Sequence, residues 1–351
     1  MITYLFMMLV SCTACFLEDK RKKDKTYQIF TFLLAFLPLF VVSGFRYMVG
    51  RDYLETYVYT FYKIANNIPN VRIDVGFYFL NKIIIFFGGS YQWIFILTSL
   101  VINYIIVKII FKESINKFMS MYIYICGTLY FFSMNGVRQT ISLVLFYYSL
   151  KYIENRKIKK YFLINIIGMA FHNSAIIFLP LYFCLSRQYS FKKKLIFILG
   201  ILMSVSILVP ILNNILLTTK YAMYINNSYY NPLEMINLSA IINMFLFILY
   251  EIFSSKNNQD VRYNMYSNIH FLGIIISIFV TKISLAMRIF IYFRYIEFLS
   301  VPYLIYKIRV GKRKISLIKI GVILFYFVYF VHGVFIENGN TVLPYKCIFF
   351  K

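Results

Sequence analysis

The feature that most limits this chain is a series of apolar runs, many near twenty residues long, separated by short clusters of Lys and Arg. Leu195 to Leu217 and Met265 to Ile283 are two examples. A run of roughly 20 apolar residues matches the hydrocarbon core of a bilayer. Inside lipid each backbone N–H and C=O must find a partner within the protein, so spanning segments are helices or strands of a closed barrel. The runs lack the period-two alternation of barrel strands. The expected fold is therefore all-α, a polytopic integral membrane helix bundle of about 10–12 membrane segments. Composition agrees, with 61% hydrophobic and 14% charged residues against roughly half and a quarter in soluble domains. Residues 1–351 thus read as one membrane domain without a soluble appendage.

A formal charge of +24 could signal phosphate binding on nucleic acid. Here the positive residues are interrupted by apolar runs and form no basic domain, so nucleic acid is not an expected partner. Membrane orientation accounts for them better, because Lys and Arg collect in cytoplasmic loops. Cys12, Cys15, Cys126, Cys184 and Cys347 show no metal-ligand spacing and read as small buried hydrophobes. No metal and no cofactor is expected. The first run, Ile2 to Leu17, has its charge cluster EDKRKKDK after the apolar stretch, the reverse of a secretory signal. It is expected to be a retained helix with its N-terminus outside.

Six loops, at 18–25, 108–117, 151–160, 186–194, 254–264 and 307–319, hold 25 of the 37 Lys and Arg residues. Placing all six inside requires an even number of crossings between neighbours. The helix list satisfies this if two segments are irregular. Residues 76–89 are too short to span and end in Gly88-Gly89, so they are expected to be interfacial or re-entrant. Tyr161 to Leu185 joins two inner loops, so it must be a broken hairpin turning near FHNS. Broken membrane helices commonly mark binding sites. Residues 44–75 and 218–237 become external segments, and both termini lie outside.

Ionisable residues in membrane segments are costly and therefore functional candidates. Arg46, Arg51 and Asp52 lie in GFRYMVGRDY, Arg138 and Gln139 in NGVRQTIS, and His172 in AFHNS. Arg288 and Arg294 occupy a late helix, with Glu297 three residues after Arg294 on the same face. Converging guanidinium groups suit anion handling, since they keep their charge and grip phosphate through a planar fork. The bland readings are interfacial snorkelling for Arg46 and Arg51, a capped helix break for His172, and a structural pair for Arg294 and Glu297. His270 and His332 lack polar company in the sequence and read as packing residues.

GFRY followed by GRDY, a Gly-Phe at 76–77, NGVRQTIS, AFHNSAIIFLP and PYKCIFF together resemble the EpsG-like family of bacterial polysaccharide polymerases, the Wzy-type enzymes of O-antigen, capsule and exopolysaccharide assembly. The resemblance covers nearly the whole chain. Two positions depart from it: Arg51 stands where a small polar residue is expected, and Asp74 where Glu is expected ahead of Gly-Phe. The resemblance implies a multi-pass protein of the bacterial inner membrane and a metal-independent glycosyl transfer at its outer face. The substrate would be an undecaprenyl-pyrophosphate-linked oligosaccharide, with a chain-length regulator protein and a flippase as partners. Residue roles follow from that implication. Arg51, Arg138 and Arg288 would clamp the pyrophosphate with Arg46 nearby, while Tyr53, Gln139 and Arg294 would help bind substrate. His172 or Asp52 would take the acceptor proton. A flippase for the same lipid-linked glycan and an O-antigen ligase are the rival readings.

Overall fold

The computed structural model describes residues 1–20, 24–71, 73–219, 222, 238–254, 259–280, 282–308 and 311–350. Helix dominates, and among the described residues no strand forms; isolated bridges join Arg46 to Cys347 and Cys347 to Phe350. The described chain packs as two units, one of Met1–Leu179 with Glu297–Lys351 and one of Pro180–Ile296. Six helices are long and apolar enough to cross a membrane, or seven if the broken pair Leu285–Arg294 and Glu297–Lys307 counts as one span. The remaining expected segments are shorter or broken helices. The expected external segment 218–237 lies almost entirely outside the described residues.

The first unit begins with α1 (Ile2–Lys20) and α2 (Lys25–Gly44), then a π-helical turn at Tyr53–Val58 leading into α3 (Tyr59–Ala65). It continues with α4 (Val75–Phe86), α5 (Gln92–Glu113), α6 (Lys117–Cys126), α7 (Leu129–Asn135), α8 (Val137–Glu154) and α9 (Ile158–Phe171). A 3-10 turn at Asn173–Ile177 leads to α10 (Phe178–Cys184), at which the division between units falls.

Contacts at the helix ends give this unit two poles. At one, Lys117 Nζ pairs with Asp19 Oδ1 at 3.2 Å, joining the start of α6 to the end of α1. At the other, the Tyr4 hydroxyl donates to Val342 O and Asn135 Nδ2 donates to Asn340 O, both at 2.8 Å. The sequence motifs gather at this second pole, remote from the basic loop at 108–117. Between the poles, Asn103 of α5 donates to Ser43 Oγ of α2 and accepts the Tyr124 hydroxyl of α6. Such side-chain hydrogen bonds hold membrane helices together where the surrounding lipid supplies no hydrophobic drive.

Both irregular segments take the expected form. Twelve residues of α4 rise about 18 Å, well short of the roughly 30 Å core. The chain then turns through Gly88, whose φ of 68° favours glycine. The 161–185 stretch reverses direction: α9 ends at Phe171, and the Tyr161 hydroxyl donates to Phe178 O at 2.6 Å. Tyr161 lies about 15 Å below Phe171 along α9, so Phe178 can reach it only after the chain has folded back.

The second unit holds α11 (Phe191–Leu217), α12 (Leu238–Ile252), α13 (Val261–Val280) and α14 (Ser284–Arg294). Lys194 is buried there, its ammonium 2.7 Å from both Glu251 Oε1 and Ser267 Oγ, the partnership that a buried charge requires. His270 is not the isolated packing residue expected, because its Nδ1 meets Asn243 Oδ1 at 2.8 Å. Two further helices, α15 (Glu297–Lys307) and α16 (Lys312–Phe330), return to the first unit. His332 lies just beyond α16 and is exposed, with Nδ1 3.6 Å from Glu337 Oε1.

Candidate active site

Three helices meet at the motif pole, each brought there by a small residue. Antiparallel helices α8 and α9 are locked in register by Asn165 Nδ2 donating to Ser149 Oγ at 2.9 Å and Ser142 Oγ donating to Gly168 O at 2.6 Å. Arg138 lies one turn before Ser142 and His172 one turn after Gly168, so this register sets them side by side. Gly76 seats α4 against the same pair, since a Cβ there would stand 3.0 Å from the Ala170 backbone. Close approach at Gly76 delivers Asp74, the residue capping α4, to the arginine and histidine.

The Arg138 guanidinium donates to Asp74 Oδ2 at 2.7 Å, and His172 Nδ1 stands 3.7 Å from the same oxygen. Asn173 N–H faces the other carboxylate oxygen at 3.4 Å. Asp74 is only 8% exposed. Burial pushes its carboxyl up, but the neighbouring His172 imidazole, the Arg138 charge and the Asn173 N–H outweigh burial and hold it below the usual carboxylate range. The Arg138 side chain stays 25% exposed and that of His172 17%. Arg138 therefore keeps an open edge for an anion while its carboxylate partner fixes its direction. His172 Nδ1 is buried and has no hydrogen-bond partner among the described residues. A proton gained by the imidazole would charge it beside the Asp74 carboxylate, the arrangement that supports a general base.

The pole is braced by its own polar network. Arg46 is 2% exposed, and its guanidinium donates to the carbonyls of Ser43, Val49 and Met134 while stacking 4.6 Å from the Phe95 ring. The Tyr57 hydroxyl donates to Asn135 O and accepts from Val137 N–H at 2.9 Å, bridging the break between α7 and α8. Gly50, at φ 105°, donates to Thr341 O at 2.9 Å, and a Cβ there would stand 2.8 Å from Asn135 Oδ1. The C-terminal segment is thereby sewn to GFRYMVG, with Tyr47 N–H donating to Lys346 O and Ile348 N–H to Phe45 O, both at 3.0 Å.

Of the residues singled out in the sequence, the structure brings together Arg138 and His172. Arg46 is instead a backbone clip: it is buried with three of its donors on carbonyls, and it presents no open fork to a pyrophosphate. Tyr53 is likewise buried, stacked 4.2 Å from Phe95 with its hydroxyl donating to Gln92 Oε1 at 3.1 Å. Asp52 starts the π-helical turn, its carbonyl taking the N–H groups of Thr56 and Tyr57, and Arg51 is exposed beside it. Gln139 is buried on α8 next to Arg138. Arg288 and Arg294 belong to the second unit, where the Arg294 guanidinium stacks 4.7 Å from the Tyr295 ring. Arg294 and Glu297 do not share one continuous helix, because one helix ends at Arg294 and another begins at Glu297. Glu297 accepts the Tyr326 hydroxyl at 2.6 Å.

Asp74 is the residue that sequence reasoning passed over as a candidate, although its place before Gly-Phe had marked it. Among the described residues no three His, Cys, Asp or Glu side chains converge as metal ligands. Comparisons with curated proteins and with solved structures gave no match. The EpsG family model matches residues 29–347, nearly the whole chain. The match contains the motifs that carry Asp74, Arg138 and His172. This multi-pass membrane protein accordingly belongs to the EpsG family, a family of Wzy-like polysaccharide polymerases.

Proposed function

We propose that the protein joins undecaprenyl-pyrophosphate-linked oligosaccharide repeat units at the outer face of the bacterial inner membrane. The observation that carries this reading is the Arg138–Asp74–His172 cluster, gathered at the pole of the first unit remote from the basic loop at 108–117. By the positive-inside rule the basic loops face the cytoplasm, which directs the cluster outward. In the reaction an acceptor sugar hydroxyl attacks the anomeric carbon of the donor glycan. The bond from that carbon to the pyrophosphate oxygen breaks, the hydroxyl proton passes to His172, and undecaprenyl pyrophosphate departs with the bonding electrons.

Each group has a task that matches its surroundings. Arg138 meets the charge growing on the leaving pyrophosphate, and a preorganised cation aimed there lowers the barrier without reorganising during the reaction. His172 accepts the proton, with the Asp74 carboxylate 3.7 Å from its Nδ1. Arg138 is the fixed cation that serves the leaving group. A chain-length regulator protein and a flippase are the expected partners of such an enzyme.

The test is a chain-length ladder from purified protein and lipid-linked repeat unit, with Arg138→Ala and His172→Ala compared with wild type at equal folded amounts. Short products or none are expected from both. Unchanged ladders from both variants would remove the site assignment. In cells, loss of a polymerase leaves single repeat units displayed outside, whereas stranding of those units inside would identify a flippase.

A further inference from the structure

We infer that a polar pocket lined by Asn67, Asn70, Tyr78 and Lys82 is a sugar-binding subsite holding one ring of the glycan beside the Arg138–Asp74–His172 cluster, an inference that rests on the polymerase reading. The pocket has a volume of about 200 Å³, with Ile64 and Pro69 among its apolar lining. Drug-sized ligand sites run to roughly 300–1,000 Å³, so this pocket suits a single ring and not a whole repeat unit.

Three observations point to a sugar. First, one helix links the pocket to the cluster. Asp74, Tyr78 and Lys82 follow at four-residue intervals and share a face of α4. Tyr78 is therefore about 6 Å beyond Asp74 along the axis and Lys82 about 12 Å beyond it. A glycan lying on this face would place one ring over Tyr78 and the next at His172.

Second, the polar groups are available. Lys82 Nζ donates to Asn67 Oδ1 at 3.2 Å, which steers the Asn67 amide and leaves its N–H groups to donate elsewhere. Among the described residues the Asn70 amide and the Tyr78 hydroxyl have no hydrogen-bond partner. Asn67 and Asn70 both adopt left-handed backbone conformations, at φ 52° and 58°, which asparagine tolerates better than most residues. These turns fold the 66–71 segment back over α4 and aim two amides at one space.

Third, the lining combines an aromatic face with amide and ammonium donors. A sugar ring presents apolar C–H groups on its face and hydroxyls at its edge, so it needs both kinds of contact at once. A purely apolar ligand would leave the amides unpaired, and a bare anion would not use the Tyr78 ring.

The experiment uses full-length protein in nanodiscs with two readouts. Saturation-transfer NMR measures binding of the producing strain's repeat-unit oligosaccharide after release from its lipid by mild acid. Initial rates of polymerisation give KM and kcat for the intact lipid-linked unit. Tyr78→Ala is expected to abolish saturation of the sugar protons and to raise KM roughly 5- to 20-fold, with kcat within about twofold, the signature of lost ground-state binding. Tyr78→Phe should recover most of the KM loss, and Asn70→Ala should weaken binding several-fold. Phe79→Ala, one position along and exposed, controls for disturbance of α4. Wild-type saturation, KM and kcat in Tyr78→Ala would overturn the subsite while leaving the polymerase reading intact. Oligosaccharide that binds in a Tyr78-dependent way to a protein that never elongates it would support the subsite and overturn the polymerase reading. Absence of binding by wild type would overturn the subsite whatever the ladders show.

Discussion

Replacing Asp74 with Asn removes one charge and almost no volume, and its effect can be worked out from the contacts. The carboxylate accepts from Arg138 at 2.7 Å on one oxygen and faces Asn173 N–H at 3.4 Å on the other, with His172 Nδ1 3.7 Å from the first. An amide keeps one acceptor and turns an N–H₂ toward a group that is itself a donor. A hydrogen bond to a charged partner contributes about 1.5–3 kcal/mol. Arg138 is one-quarter exposed, so solvent screens part of that, and the folded state should lose about 1–2 kcal/mol. The catalytic loss should be larger in consequence. General-base assistance is worth roughly 10²–10⁴-fold. Asp74 is a positioning residue that acts through His172 and Arg138, so the low end applies, about 10²-fold in kcat or roughly 2.7 kcal/mol. Asp74→Glu keeps the carboxylate and should return kcat to within about tenfold of wild type. The assay is the initial rate of ladder formation, normalised to folded protein. The reasoning fails if Asp74→Asn keeps kcat within about threefold, or if Asp74→Glu is no better than Asp74→Asn.

Arg46 serves as the contrast, because its guanidinium holds three buried carbonyls. Arg46→Lys cannot fork to all three, and each orphaned carbonyl costs about 1–3 kcal/mol; the thermal midpoint should fall by many degrees while kcat per folded molecule is kept. Gly76→Ala forces a methyl against the Ala170 backbone, which should cost about 1–3 kcal/mol and shift Asp74 from His172, with kcat falling more than KM rises. Acid titration provides a further check. With its carboxyl held low in the folded state, Asp74 contributes stability that is fully present above the unfolded value near 3.9 and is lost as pH falls through the depressed folded value. Thermal unfolding between about pH 2 and 5 should therefore show an acid limb that Asp74→Asn reduces. Arg138→Ala, which removes one of the cations holding the carboxyl down, should move that limb to higher pH.

Much of this organisation was legible in the sequence because lipid imposes strong and local rules. Run length predicted the long helices, and the parity of the basic loops required Tyr161 to Leu185 to double back, as α9 and the Tyr161–Phe178 hydrogen bond show. The Gly88-Gly89 pair marked the end of a helix too short to span. Arg138 and His172 stood out because a polar residue in an apolar run carries its cost on its face. Side-chain partners were a different matter. Arg46 and Arg138 look alike in sequence, each an arginine in a glycine-bearing motif, yet one is spent on backbone carbonyls and the other is held open by an acid 64 residues earlier in the chain. Likewise, the three-residue spacing of Arg294 and Glu297 implied one continuous helix, whereas the structure ends one helix at Arg294 and starts another at Glu297.

Apolar run length and charge placement therefore determined that this chain is a membrane helix bundle, where it bends, and which polar residues deserved suspicion, since burial in lipid penalises each residue by its own chemistry. Which of those residues meet was decided only by tertiary packing. Gly76 against Ala170 and Ser142 against Gly168 set helix separations to within a methyl group, and those separations, invisible to any local pattern, turn Asp74, Arg138 and His172 into one site.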